Sequence, residues 1–164
     1  DYALVVWVNV VPWITRNQPG SDVGWEPFSY ERRLIADEIK RNGLVNRMLI
    51  LSGDGHMVAI DDGSNSDYSS DGKPDDRAFP VVQGAPLDRF PRVKGGPYSH
   101  GVAARRGLTR LFGLIKEQQF GFMDLTDNGQ VIDVELSGRN SKGEILKGML
   151  LRMRCDSEGC KVVD

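Results

Sequence analysis

The stretch "MLILSGDGHMVAIDDG", Met48–Gly63, is the part of the sequence that indicates the fold most strongly. Apolar residues lead into Ser-Gly-Asp-Gly-His, which is the pattern of a buried strand that ends in a sharp turn. Asp54 and His56 each follow a glycine, and the chain has only one other histidine. Because glycine permits tight turns, both side chains can project into one cleft at the carboxyl end of the strand.

This pentapeptide has two interpretations. A carboxylate and an imidazole suit zinc, iron or manganese, but a catalytic zinc centre takes three protein ligands, so Asp54 and His56 would be only half of a site. In the other interpretation His56 is a hydrogen-bonded core histidine and Asp54 caps the turn. A Ser/His/Asp hydrolase is disfavoured, because the chain has no G-x-S-x-G motif.

The residues before this stretch predict a β-α-β unit. Residues 3–11 are almost continuously apolar, as in a strand covered on both faces. A helix is predicted over 30–42, with Ser29 as its N-cap and Gly43 as its stop. "RMLIL" then forms the second strand, and sites in such sheets gather at the carboxyl ends of strands.

The residues after it predict an acidic loop and then strands. Residues 61–76 contain six aspartates and read as a solvated loop, or alternatively as a calcium loop that lacks the EF-hand spacing. "AFPVVQGAP" predicts a further strand. Asn128-Gly129 predicts a hairpin within 119–140, and "EILKGMLLRMRC" supplies a third antiparallel strand.

The bulk properties are those of a globular protein without a membrane span. The 164 residues are 40% hydrophobic and 27% charged, with a net charge of −2, which gives no general attraction to nucleic acid. No apolar stretch approaches the roughly 20 residues that span a bilayer. Because the chain opens inside a strand-like run, we expect it to be part of a longer protein.

Two smaller features leave alternatives open. Cys155 and Cys160 could form a disulfide, remain thiols, or be half of a zinc site that lacks a second ligand pair. Residues 102–118 predict a short helix or loop, whose basic side chains indicate a solvated face. These basic side chains are Arg105, Arg106, Arg110 and Lys116.

Taken together, several segments resemble a known family. "VVWVNVVPWI", "SDVGW", "YERRLIADEI", the opening stretch, "FPVVQGAPLDR", "VKGGPYSHG" and "QFGFMDLTD" with "VIDVELSGRN" follow one another over residues 3–146. In this order they resemble the C-terminal half of PhoD-like alkaline phosphatases, which belong to the calcineurin-like metallophosphoesterase superfamily.

The resemblance implies a fold, and it implies that the chain forms only part of that fold. The expected fold is α/β, the C-terminal half of a four-layer αββα metallophosphoesterase sandwich, with an antiparallel, strand-rich C-terminal part. Residues 1–164 would be the C-terminal part of one such domain. The upstream half, which supplies most of the metal ligands in the family, would be absent, so the chain alone is expected to be inactive.

The resemblance also implies a site and an activity. Asp54 and His56 match metal ligands of a dinuclear centre, for which calcium and iron are expected and zinc or manganese are possible. The intact protein would hydrolyse phosphate mono- or diesters. Trp25 matches a tryptophan at the active-site mouth, or is a hydrophobic lid on the helix. His100 would contact substrate from a lid, or lie at the surface.

The resemblance also bears on two helix residues and on the location of the protein, and one alternative function stays open. Glu31 and Arg32 are expected to form a structural salt bridge. The family is often exported, which favours a periplasmic or extracellular location. The rival function is a non-catalytic binding domain derived from the phosphatase fold, with the basic residues of 105–116 as its contact surface.

Overall fold

A computed structural model describes residues 2–15, 24–72, 77–84, 95–101 and 118–163 of the chain. These residues form one α-helix and nine β-strands. The elements are β1 (Val5–Asn9), α1 (Ser29–Arg41), β2 (Met48–Ser52), β3 (Ala59–Asp61), β4 (Val81–Gln83), β5 (His100–Gly101), β6 (Gln119–Asp127), β7 (Ile132–Asn140), β8 (Ile145–Asp156) and β9 (Gly159–Val163).

The strands make two sheets. The mixed sheet has the order β1-β2-β4-β3-β5, in which β1, β2 and β4 are parallel and β3 runs antiparallel to both of its neighbours. The antiparallel sheet has the order β6-β7-β8-β9. The predicted hairpin is confirmed, since β6 and β7 pair in continuous register from Gln119↔Asn140 to Asp127↔Ile132.

Helix α1 lies where the sequence predicts it, but its first turn differs. Ser29 is the first helical residue, and Phe28 precedes it without a side-chain cap hydrogen bond. Gly43, at φ +66°, ends the helix as predicted. Its N–H donates to the Lys40 carbonyl and the Leu44 N–H donates to the Ile39 carbonyl, which together make a Schellman motif.

The mixed sheet has a core on each of its faces. Alternate residues of β2 face opposite ways, so Met48 and Ile50 pack towards α1 while Leu49 packs towards the antiparallel sheet. The helix-side core also contains Trp13, Phe79, Val81 and Tyr98, and the core between the sheets contains Ile60, Val82, Leu136, Met149, Leu151 and Met153. The described layers are therefore helix, mixed sheet and antiparallel sheet.

The expected fold class, an α/β four-layer αββα sandwich, is wrong for the described residues, which are mostly β-structure with one helix. A physical reason lies on the outer face of the antiparallel sheet. Glu135 pairs there with Arg152 at 3.0 Å, and Asp133 pairs with Arg154 at 2.8 Å. A sheet face built from ion pairs is compatible with water and needs no covering helix.

The predicted helix or loop over 102–118 and its basic patch lie almost wholly outside the described residues.

Candidate functional site

The predicted metal ligands lie on a tight turn at the carboxyl end of β2. The Gly55 N–H donates to the Gly53 carbonyl at 2.7 Å, which closes a three-residue γ-turn with Asp54 in the middle. Asp54 has φ +58° and His56 has φ +53°, so both adopt left-handed backbone. Asp54 is exposed and His56 is half-buried. The structure thus presents a carboxylate and an imidazole from one turn at the end of a parallel strand.

This backbone geometry is strained. Residues other than glycine seldom have positive φ, although Asp, Asn and His tolerate it better than most. Each such residue costs on the order of 1 kcal/mol or more, and strained residues of this kind cluster at functional sites. Two of them in one turn are therefore an observation that points towards function.

The turn is pressed against its neighbours. The Gly53 N–H donates to the Asn9 carbonyl at 3.2 Å, and a Cβ on Gly53 would lie 2.9 Å from the Val10 carbonyl oxygen. A Cβ on Gly55 would lie 2.5 Å from the Gln83 side chain. Both glycines of the motif are thus required by close approach of backbone or side chain, which the sequence pattern did not specify.

A row of buried polar side chains lies below the turn. Asn9, Ser52 and Gln83 are Cα partners on β1, β2 and β4, and each comes two residues after an apolar residue of the helix-side core, so all three lie on that face of the sheet. Ser52 is 5% exposed and Gln83 is 0% exposed. The Ser52 Oγ and the Gln83 Oε1 are buried and have no hydrogen-bond partner among the residues that the structure describes.

This row was not predicted, although the sequence contains a signal for it. Each of the three apolar strands ends in a polar residue, in "VVWVN", "MLILS" and "VVQ". Parallel strands that end at one edge of a sheet bring such residues together. Buried polar atoms normally have partners, so the two oxygens that lack one among the described residues are an unusual feature of this end of the sheet.

The donor types at the turn suit a metal ion, but their number is insufficient. A carboxylate and a neutral imidazole are common ligands of iron, zinc and manganese. Within the described part of the chain, no group of three or more His, Cys, Asp or Glu side chains is placed to hold a metal. Asp54 and His56 therefore fit one side of a metal site, and the remaining ligands would come from elsewhere.

Trp25 lies in an aromatic cluster on the helix side of the mixed sheet. Its ring centroid is 5.8 Å from that of Trp13 and 6.4 Å from that of Trp7, both in edge contacts. It also lines an apolar groove of about 360 Å³ together with Val11, Phe28 and Glu31. Trp25 thus covers the start of the helix, as one interpretation predicts. The groove that it borders also includes Val11, which follows β1.

His100 lies on β5, at the edge of the mixed sheet. Its Cα is opposite that of Ile60 on β3, and two strands separate β5 from β2. Its Nδ1 is 2.8 Å from the Ser99 Oγ. The described contacts do not bring His100 together with Asp54 or His56, and a role in substrate contact stays a prediction.

The first residues of the acidic loop are tied to the protein itself. Asp61 is fully buried and its carboxylate accepts hydrogen bonds from the backbone N–H groups of Gly63, Asn65 and Ser99 and from the Asn65 side chain. Burial raises the pKa of this carboxyl, and the hydrogen bonds partly oppose that rise. Asp62 is 3.1 Å from Arg77.

The later aspartates of the same loop contact the helix. The Lys40 Nζ is 2.9 Å from both Asp67 and Asp71. The hydrogen bonds that Lys40 donates to these two carboxylates raise the pKa of its ammonium group. A lysine ammonium thus occupies the position between them that a cation would take, which argues against the calcium-loop alternative.

Arg32 does not form the predicted salt bridge with Glu31. Its guanidinium donates to the carbonyls of Trp13 and Thr15 at 2.9 and 3.2 Å and stacks on Tyr68, 3.6 Å from the ring centroid. Glu26 is its ion-pair partner, at 3.6 Å. Burial lowers the pKa of Arg32. Its role is nonetheless structural, as expected, because it joins the helix to the loop after β1.

Cys155 and Cys160 form a disulfide between directly opposed residues of β8 and β9. This pairing removes the half-zinc-site alternative, because both sulfurs are used. The turn that follows Cys155 docks on the loop before β2, where the Cys160 N–H donates to the Asn46 carbonyl and the Asn46 side chain donates to the Glu158 carbonyl.

Comparisons of the chain with profiles of known protein families, with curated proteins and with solved structures find no match. The family resemblance is therefore carried by the quoted motifs alone. Among the described residues, no helix has the length and apolar character needed to cross a membrane.

Proposed function

We propose that this chain contributes Asp54 and His56 to a metal-dependent site that hydrolyses phosphate mono- or diesters. The observation that carries the proposal is the γ-turn at the end of β2, which holds a carboxylate and an imidazole in strained backbone. The resemblance to PhoD-like alkaline phosphatases supports it, because their Gly-Asp-x-His ligand motif falls on the same residues.

The roles of the chain's own residues follow from the donor chemistry. Asp54 would bind metal through its carboxylate and His56 through a neutral ring nitrogen. A bound pair of ions would lower the pKa of a water molecule and stabilise charge on the phosphate oxygens. Calcium and iron are the ions that the resemblance implies, with zinc or manganese as alternatives.

The proposal includes ligands that the described residues do not supply. The resemblance places them in an upstream segment of the same protein. The Cys155–Cys160 disulfide supports a periplasmic or extracellular location, because such bonds persist in oxidising compartments.

The test compares the chain with a version that carries the upstream segment, using a chromogenic phosphodiester and added metal ions. We expect turnover only in the longer protein, and loss of that turnover in Asp54→Asn and His56→Gln. Asp124→Asn, which changes an exposed acid on the other sheet, is the matched control and should retain activity. Full activity in Asp54→Asn would overturn the proposal.

A second candidate function is the non-catalytic binding domain, and one observation favours it. Within the part of the chain that the structure describes, β1 is an edge strand, and Val8 in this strand and Val10 just after it are 73% and 79% exposed. An unpaired apolar edge is a surface that can add a strand from another chain. The absence of metal binding and turnover in the longer protein would favour this function over hydrolysis.

A further inference from the structure

We propose that Gln83 is a positioning residue that holds the turn carrying Asp54 and His56 in its left-handed conformation. The effect on the turn stands on geometry alone, while its consequence for metal binding rests on the proposed function. Gln83 lies 29 residues beyond Asp54 in the sequence, on β4, which pairs with β2.

The first line of evidence is the hydrogen bonding of the Gln83 amide. Its Nε2 donates to the Gly53 carbonyl at 2.6 Å and to the Gly84 carbonyl at 3.1 Å. The Gly53 carbonyl also accepts the Gly55 N–H that closes the γ-turn. One oxygen is thus shared by the turn and by Gln83, so the amide fixes the direction of the carbonyl on which the turn depends.

The second line of evidence is the close packing of the turn on the same amide. A Cβ on Gly55 would lie 2.5 Å from the Gln83 Cδ and 2.6 Å from its Nε2. Real Cβ atoms do not approach this closely, so only glycine lets the backbone rest on the amide plane. The hydrogen bond and the packing contact together leave the turn little freedom to relax towards negative φ at Asp54.

The third line of evidence is the energetic cost of a glutamine at this position. Gln83 is fully buried next to Val81 and Val82, and no described residue is a hydrogen-bond partner of its Oε1. Burying an unsatisfied amide oxygen is unfavourable, and an apolar side chain of similar size would avoid that cost. A glutamine that served only to fill the core would be a poor choice, whereas its Nε2 donates one hydrogen bond to the Gly53 carbonyl of the turn and one to the Gly84 carbonyl.

The experiment uses Gln83→Met, which keeps the volume and removes the donor, and Gln83→Glu, which replaces the donor by an acceptor. Gln119→Met is the matched control, because Gln119 is also buried, its Oε1 also has no partner in the described part of the chain, and it lies on β6 in the other sheet. The readouts are amide hydrogen exchange at Gly55, global unfolding in urea, and Mn²⁺ affinity by calorimetry.

We expect exchange at Gly55 to accelerate about tenfold in Gln83→Met, the loss expected for one hydrogen bond, with no decrease in global stability. Mn²⁺ affinity should fall in the same variant, and Gln119→Met should change neither local quantity. If Gln83→Glu does not fold, Gln83→Met alone carries the test.

Unchanged exchange at Gly55 in Gln83→Met would overturn the inference. So would acceleration that only matches a global loss of stability. If the wild-type chain binds no Mn²⁺, the metal proposal fails, but the exchange result still decides the role of Gln83. The two failures are therefore distinguishable.

Discussion

Asp54 and His56 show how a single turn can sacrifice stability for side-chain placement. Both have positive φ, and the γ-turn with positive φ at its centre is the rarer and more strained form. Only glycine adopts this backbone freely, yet the chain places glycines on either side of Asp54 and not at it. Under the proposed function, this turn costs folding free energy and presents a carboxylate and an imidazole to a metal ion.

Replacing Asp54 by glycine should therefore stabilise the protein. We expect Asp54→Gly to raise the free energy of unfolding by about 0.5–1 kcal/mol, and Asp54→Ala to be less stable than Asp54→Gly by about 1 kcal/mol, because alanine keeps the Cβ. Urea denaturation measures both. At Asp124, in an ordinary strand, the alanine variant should be the more stable of the two. If the alanine and glycine variants had the same order of stability at both positions, Asp54 would not be in a strained backbone conformation.

Asp61 and Asp62 are adjacent carboxyls whose pKa values shift in opposite directions. Burial raises the pKa of Asp61 above 3.8. Partial burial acts in the same direction on Asp62, but the hydrogen bonds with Ser64 and the charge of Arg77 outweigh it and lower its pKa. In an NMR titration of the carboxyl carbons, Asp62 should ionise at lower pH than Asp61. The reverse order would show that these local environments are misassigned.

The two shifts have opposite effects on stability. The contribution of Asp61 is fully present below pH 3.8 and is lost as pH rises through its raised pKa. The contribution of Asp62 is present above pH 3.8 and is lost as pH falls through its lowered pKa. Urea unfolding at a series of pH values measures how the free energy of unfolding depends on pH. Asp61→Asn and Asp62→Asn should each remove one of these two pH dependences.

At the scale of elements, short contacts between sequence-distant segments position the site. β2 delivers the turn, β4 supplies Gln83 beneath it, and β1 supplies the Asn9 carbonyl beside it. The β8–β9 turn braces the opposite end of β2 through Asn46. The antiparallel hairpin with its disulfide thus supports the mixed sheet at the end remote from the candidate site.

Reduction of the disulfide should weaken this support. The bond closes a short loop between Cys155 and Cys160, for which chain entropy predicts about 2 kcal/mol of stabilisation. Urea unfolding with and without reductant measures the difference, and a Cys155→Ala/Cys160→Ala variant should be insensitive to reductant. Superimposable curves for the oxidised and reduced wild type would contradict the prediction.

At the scale of the whole molecule, the mixed sheet lies between two cores and should couple them. All three tryptophans lie on its helix side, whereas Leu136 lies in the core between the sheets. Leu136→Ala should lower the free energy of unfolding by about 2–5 kcal/mol. The unfolding transitions followed by tryptophan fluorescence and by circular dichroism should shift by the same amount. Leu125→Ala, at a largely exposed position, should change stability little. Two separate transitions would mean that the cores unfold independently.

The sequence predicted local elements better than the layers they form. Periodicity placed α1, and Asn128-Gly129 placed the β6–β7 hairpin, because both signals act over a few residues. The four-layer sandwich was wrong because it came from the resemblance, whereas the outer charges of the antiparallel sheet depend on the register between β7 and β8. Gln83 was missed for the same reason, since its contact with Gly53 exists only once β2 and β4 pair.

The most direct test of the central claim is a Mn²⁺ titration of the chain followed by NMR, because paramagnetic broadening locates even a weak, incomplete metal site. We expect the signals of Gly55 and His56 to broaden first, ahead of those of Asp67 and Asp71, and we expect Asp54→Asn/His56→Gln to abolish this early broadening. Earliest broadening in the acidic loop, or an unchanged response in the double variant, would contradict the assignment of Asp54 and His56 as metal ligands.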